Sequence, residues 1–203
     1  MDINFVTSND IKYAIAEQII KNTSHHLYHT TYKTIEIQSM DVEKVVQNKA
    51  RYLYDKLGVP IAVTDAGFYI EALNGFPGAL VKYINSCLSP NNILKMLDKE
   101  KNRNIVVRES ICILIDDRTH IKGIYESKGI ISNYIGRKEG STIEKIAIPT
   151  GYTVPMSELG KDIMMNYWIK NSSWWTVAHF GSAVQQFRLE RCEQIAPSVQ
   201  PFR

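Results

Sequence analysis

Through the first hundred positions, apolar residues recur at helical spacing between short apolar runs. From residue 105 to 135 they give way to a β-branched, aromatic stretch. That change of period is the strongest constraint on the fold, because it places helices and buried strands first and antiparallel strands second. A strand over 4–7 leads into an amphipathic helix in which Ile11, Ala14, Ile15 and Ile19 share one face. Ser8, Asn9 or Asp10 can offer a side-chain oxygen to its first amides. Residues 25–34 read as polar and irregular, and 35–38 as a brief strand. A second helix over 41–57 carries one apolar stripe (Val42, Val45, Val46, Ala50, Leu53, Leu57), closed by Gly58 with Pro60 beyond. Residues 60–63 and 68–73 read as two strands and 74–78 as a dense turn. Helices follow over 80–88 and 91–97, the latter capped by Ser89 with Pro90 at its first position. The 105–135 stretch reads as three antiparallel strands, broken at 116–119, Gly123 and Gly129. After it come a strand over 143–148, a turn over 149–151, an ambiguous segment over 157–170 and a terminal helix over 176–191, with 197–203 fraying. The order predicts a mixed α/β fold with two lobes.

Composition enters by what it excludes. A chain of 203 residues buries roughly 70% of the surface it exposes when unfolded, so its core needs no covalent staples. Apolar residues at 44% and charged residues at 22% rule out collagen, disorder and coiled coil. The 24 basic and 21 acidic residues give a net charge of +3, evenly spread, and predict no specific nucleic-acid partner. Apolar stretches fall short of the ~20 residues of a membrane span, and the opening residues carry no basic segment of a secretory signal. Cys87, Cys112 and Cys192 are odd in number and widely spaced. They predict reduced thiols in the cytoplasm and no zinc site.

Several polar residues stand in positions that packing alone does not explain. Thr7, Ser8 and Asn9, with Lys12 one turn on, sit where a strand meets a helix. Unpaired first amides and the macrodipole favour an anion there, although caps and solvated lysines look the same. Lys49 lies inside the apolar stripe of the second helix. It either snorkels out along its methylenes or meets an anion. Asp65 ends a buried-type strand beside Ala66 and Gly67, where open α/β sheets place ligands, or it caps the following turn. Glu36 alternates with Ile35 and Ile37, on a solvated face or on a cleft shared with Asp65. In the second case the two carboxylates would suit Mg²⁺, which takes one or two carboxylates together with substrate phosphates. Lys82 follows the turn over 74–78. Three ammoniums and two carboxylates around one cleft match what a magnesium triphosphate requires.

Taken together, these segments resemble the inosine triphosphate pyrophosphatase family, which hydrolyses non-standard purine nucleoside triphosphates. Thr7, Ser8, Asn9 and Lys12 match its opening strand end, Glu36-Ile37-Gln38 its short acidic stretch, and Lys49-Ala50 its helical lysine. Its central motif is matched by Asp65-Ala66-Gly67-Phe68 and by residues 72–78, and Lys82 falls where the family often has a base. The second half departs. Thr64 replaces the first acid of the family's acid pair, and Ser141-Thr142-Ile143-Glu144-Lys145 stands in the base-framing loop with Glu144 for its Asp. Ala178-His179-Phe180 keeps the closing histidine without the arginine. Trp174, Trp175, Tyr134 or Tyr152 could supply other stacking rings or serve as core.

What the resemblance implies is a single domain over 1–203, elongated, with a central mixed sheet flanked by helices. Its active-site cleft would lie between lobes formed by 1–100 plus 170–195 and by 104–160. The implied activity is Mg²⁺-dependent hydrolysis of a nucleoside triphosphate to monophosphate and pyrophosphate, on a deaminated or other non-standard purine. Glu36 and Asp65 hold the metal and Asp65 acts on water. Thr7, Ser8, Asn9, Lys12, Lys49, Ala66 and Lys82 hold the phosphates, Glu144 and His179 meet the nucleoside end, and the chain pairs as a homodimer. The alternative is a catalytically impaired nucleotide-binding or sensor module of the same fold.

Overall fold

A computed structural model of the chain describes residues 1–179. The rest of the expected terminal helix, Phe180, Cys192 and the 197–203 segment lie outside the described residues. The architecture is mixed α/β: seven strands form one sheet, in the order β2-β1-β3-β5-β6-β7 with β4 beside β3, and helices pack against it. Among the described residues no helix is long and apolar enough to cross a membrane.

Parallel pairing builds one side of the sheet. Strand β1 (Asp2–Val6) pairs with β2 (His26–Thr30) and with β3 (Ile61–Ile70). The polar reading of 25–34 missed β2 because an edge strand, exposed over much of its surface, shows no apolar alternation. Residues 35–38 form no strand; Ile35 and Ile37 alternate with Glu36 but face outward from a loop, with no neighbouring strand to pair with. Helix α1 (Asp10–Ile20) follows β1, and α2 (Val42–Leu57) is closed by Gly58 in the left-handed region at φ 65°.

Strand β3 is continuous where two strands, over 60–63 and 68–73, were expected. Asp65, Ala66 and Gly67 stay in register with Ser110, Glu109 and Arg108 of β5 (Asn104–Leu114). Gly67 is needed there for space, since a Cβ would lie 2.9 Å from the backbone of Gly78 in β4 (Pro77–Gly78). A short 3-10 turn, Glu71–Leu73, and the left-handed Asn74 then reverse the chain.

The antiparallel side has two long strands, β5 and β6 (His120–Ile131), followed by the short β7 (Ala147–Pro149), so the expected three-way split of 105–135 is corrected. Gly123 and Gly129 lie within β6 because Thr176 and the carbonyl of Ile148 occupy the space of a Cβ. Helices α3 (Val81–Cys87) and α4 (Pro90–Met96) follow β4, and Ser89 and Asn92 complete a capping box on α4. The ambiguous segment contains α5 (Lys161–Lys170), and α6 (Trp175–Ala178) closes the described chain.

Three buried clusters result. One sheet face packs α1 and Trp174 against Phe5, Ala62, Ile111 and Ile113. The opposite face packs α2 against Val6, Ile61, Val63 and Cys112. The third joins Ile93, Leu97, Ile105, Ile143 and Tyr167 beneath the far end of the sheet. Strand alternation therefore sends Thr64, Ala66 and Glu109 toward α1, and Asp65 and Ser110 toward α2.

Candidate active site

The turn out of β1 is set by its own side chains. Thr7 Oγ1 accepts from the Asn9 amide at 3.1 Å, and Asn9 Oδ1 accepts from the Ile11 and Lys12 amides at 3.0 and 3.2 Å. Asn9 is thus the N-cap of α1, and Ser8 is exposed beside it. The capped turn carries Lys12 back over the sheet. Its Nζ donates to the Thr64 carbonyl at 3.4 Å and lies 3.6 Å from Asp65 Oδ1. The Ala66 amide donates to the same Asp65 oxygen at 2.9 Å.

Lys49 meets an anion, and the anion is Glu36. Nζ lies 2.6 Å from Oε1, and the lysine side chain is 15% exposed against 40% for its partner. Burial pushes the Glu36 carboxyl up. The hydrogen bond and charge of Lys49 outweigh that, with the charges of Lys82 and Lys12, and hold it below the ordinary carboxylate range. Lys82, on exposed α3, and Lys12, on α1, therefore act on the same carboxylate as Lys49.

The loop bearing Glu36 is pinned at its far end. Tyr69 Oη donates to the Met40 carbonyl at 2.9 Å and accepts from the Val42 amide at 3.1 Å. The Ala79 amide donates to the same carbonyl, and Gln38 reaches Tyr83 Oη. Arg108 covers the Tyr69 ring at 4.9 Å while pairing with Glu126. Loop, turn and helix start are thus fastened to β3 together.

The contacts that assemble this cluster involve neither Glu144 nor His179. Glu144 accepts from the Ser141 amide at 2.8 Å within its own loop. His179 sits at the end of α6 with Nδ1 2.7 Å from the Trp175 carbonyl. Of the aromatic residues considered for stacking, Trp174 is core, edge-on to Phe5 at 4.9 Å, whereas Tyr134 is exposed.

One acid escaped the sequence reading. Glu109 stands opposite Ala66 on β5, and its Oε2 accepts from the Ser173 amide at 2.6 Å. Burial pushes its carboxyl up, against the lowering effect of the Ser173 amide and the Lys12 charge. The available signal was period two, because Ile105, Val107, Ile111 and Ile113 share its face and only position 109 is charged.

Among the described residues no three His, Cys, Asp or Glu side chains gather as a metal cage. Two carboxylates do pair with lysines, Glu36 of the loop with Lys49 and Asp65 of β3 with Lys12. A hard cation completed by phosphate oxygens takes such a donor set.

Two ion pairs, Lys49 with Glu36 and Lys12 with Asp65, thus lie beside one mixed α/β sheet. The chain belongs to the Ham1 family, whose sequence profile matches residues 3–172. It is 32% identical over 160 residues to the dITP/XTP pyrophosphatase of Methanopyrus kandleri, covering 79% of this chain and 85% of that protein. The dITP/XTP pyrophosphatase of Thermococcus kodakarensis is 29% identical over 92% of this chain and 95% of its own. Among solved structures, a HAM1 protein from Coxiella burnetii aligns with a TM-score of 0.77 at 16% identity, covering 89% of this chain and 98% of that one. That likeness is one of fold.

Proposed function

We propose that this protein is a nucleoside triphosphate pyrophosphatase that cleaves a non-standard purine nucleoside triphosphate, of the dITP or XTP kind, to monophosphate and pyrophosphate. Family membership supports the class, and the names of the relatives support the substrate. The observation that carries the reading is the pairing of Lys49 with Glu36 and of Lys12 with Asp65, with the charges of Lys82 and Lys12 also lowering Glu36. In the reaction, a water oxygen bonds to the α-phosphorus, the bond from that phosphorus to the α,β-bridging oxygen breaks, and pyrophosphate leaves with the electron pair. Lys12, Lys49 and Lys82 clamp the phosphates, with the Thr7, Ser8 and Asn9 turn and the Ala66 backbone completing the cradle. Asp65 orients the water and accepts its proton. Glu36 and Asp65 would hold Mg²⁺, which neutralises charge on the leaving oxygen. Glu144 and His179 are assigned to the nucleoside end, across a cleft between a lobe of 1–100 plus 170–195 and one of 104–160. The resemblance also implies a homodimer, and a sedimentation mass equal to one 23.2 kDa chain would overturn it.

The test is pyrophosphate release across a panel of nucleoside triphosphates with and without Mg²⁺, beside calorimetric binding. Release from inosine and xanthosine triphosphates, and its loss by at least about a hundredfold in Asp65→Asn with unfolding unchanged, is the expected result. Binding without release would make the chain a nucleotide-sensing module instead.

A further inference from the structure

On the face of the sheet that α2 covers, a cavity of about 190 Å³ opens between that helix and the β5–β6 pair, with Glu43, Gln47, Ser110, Lys122 and Ile124 in its lining. Its two walls differ in chemistry. Glu43 and Gln47 stand one turn apart on α2 and so share a flank of the helix. Lys122 and Ile124 share a face of β6, and Ile124 stands opposite Ser110 of β5. Lys49, two residues past Gln47 and therefore about 200° round the helix, leaves on the other flank to meet Glu36.

Among the described residues, the Glu43 carboxylate, the Gln47 amide, the Ser110 hydroxyl and the Lys122 ammonium make no hydrogen bond and no ion pair. Opposite charges thus line one cavity without pairing across it. Ser110 is only 4% exposed, and a hydroxyl at that depth ordinarily has a partner. Ile124, at 44% exposed, adds an apolar side. The volume lies below the ~300 Å³ at which pockets for drug-sized ligands begin, so the cavity suits one small solute and not a nucleotide.

We propose that this cavity is a binding site for a small zwitterion, an α-amino acid, with its carboxylate on Lys122 and Ser110, its ammonium on Glu43 and the Gln47 carbonyl, and any aliphatic side chain against Ile124. A simple anion or cation would leave one of the two facing charges unanswered, whereas a zwitterion satisfies both. The inference does not depend on the pyrophosphatase reading.

Calorimetric titration of the full-length protein near neutral pH tests it with glycine and L-valine. Their amides lack the negative charge, and acetate and 3-methylbutanoate lack the positive one. At least one amino acid is expected to bind saturably, about tenfold or more tighter than its amide and its amino-free acid, the scale of one charge-assisted hydrogen bond. Lys122→Met and Glu43→Gln should each weaken that binding about tenfold, and Ser110→Ala about fivefold. Lys122 is exposed and Glu43 half-buried, so both variants should melt as wild type does; where one does not, the analogue series on wild type decides. Failure of both amino acids to bind, equal binding of the singly charged analogues, or undiminished binding in folded Lys122→Met or Glu43→Gln overturns the proposal. Displacement of the amino acid by deoxyinosine triphosphate with Mg²⁺ also overturns it, because the cavity would then belong to the nucleotide site.

Discussion

At the residue scale, Lys49 and Glu36 determine one another. An ammonium within a helical apolar stripe is tolerated only when paired or snorkelled, and here the pair forms at 2.6 Å. Lys49→Met keeps the methylene stem and its packing but removes the charge. Glu36 then loses the largest influence pulling it down, and the site loses a cation. KM for a triphosphate substrate should rise about tenfold, the scale of one charge-assisted hydrogen bond. Melting should shift little, because the carboxylate partner is 40% exposed and water can solvate it. Steady-state pyrophosphate release checks this, and an unchanged KM would remove Lys49 from the site. Lys49 was legible in the sequence because a charge interrupting an apolar stripe is visible without coordinates. Glu36 was not decided by its pattern, since an acid between two isoleucines in a short polar stretch reads alike on a solvated face or a cleft. Glu109 interrupts a stripe just as Lys49 does, but at period two. Splitting 105–135 into three strands obscured that phase.

At the scale of elements, α2 is the part that brings cleft and core together. Its cap is Asp41, whose Oδ1 accepts from the Glu43 and Lys44 amides at 3.0 and 3.4 Å. Asp41→Ala should cost about 1 kcal/mol in urea unfolding. Tyr69→Phe should cost about 1–2 kcal/mol, since it leaves the Met40 carbonyl with one donor fewer and the Val42 amide without its acceptor. It should also raise KM, because it frees the end of the loop that carries Glu36, whereas Asp41→Ala should leave KM near wild type. Equal effects of the two on KM would show that Tyr69 acts on the helix rather than the loop. The helices were legible because 3.6-residue stripes and caps are local features: α1, α2 and α4 fall within a few residues of their expected spans. The strands were less so. β3 reads as two pieces because the polar and small residues Thr64 to Gly67 separate its two apolar runs, and the close approach of Gly67 to Gly78 within the continuous strand is a contact eleven residues away. β2 has a pattern only in relation to β1, which pairs it through Ile3 and Leu27.

At the scale of the molecule, the division into a parallel half and an antiparallel half was legible from the change of period alone. Which residues would face each other across the sheet was not, since register is decided by pairing. That pairing sets two glutamates to act on stability in opposite directions. Glu36 is held below the ordinary glutamate value of 4.5. The stability it contributes is present above that value and is lost as pH falls through the folded value. Glu109 is pushed above 4.5 by burial. Its contribution is complete below 4.5 and is lost as pH rises from there through its folded value. Glu71, Asp116 and Glu158 are lowered by hydrogen bonds to neighbouring side chains and amides and share the acid limb, so the informative quantity is the difference between variant and wild type. Subtracting the Tm profile of Glu36→Gln from that of wild type should leave a curve that falls only on the acid side of 4.5. The same subtraction for Glu109→Gln should leave a curve that falls only on the alkaline side, with the variant gaining on wild type as pH rises toward neutrality. Thermal unfolding across the range checks both. Two flat differences would mean that neither carboxyl changes its proton affinity on folding, and the electrostatic account of Lys49, Lys82 and Lys12 acting on Glu36 would have to be abandoned.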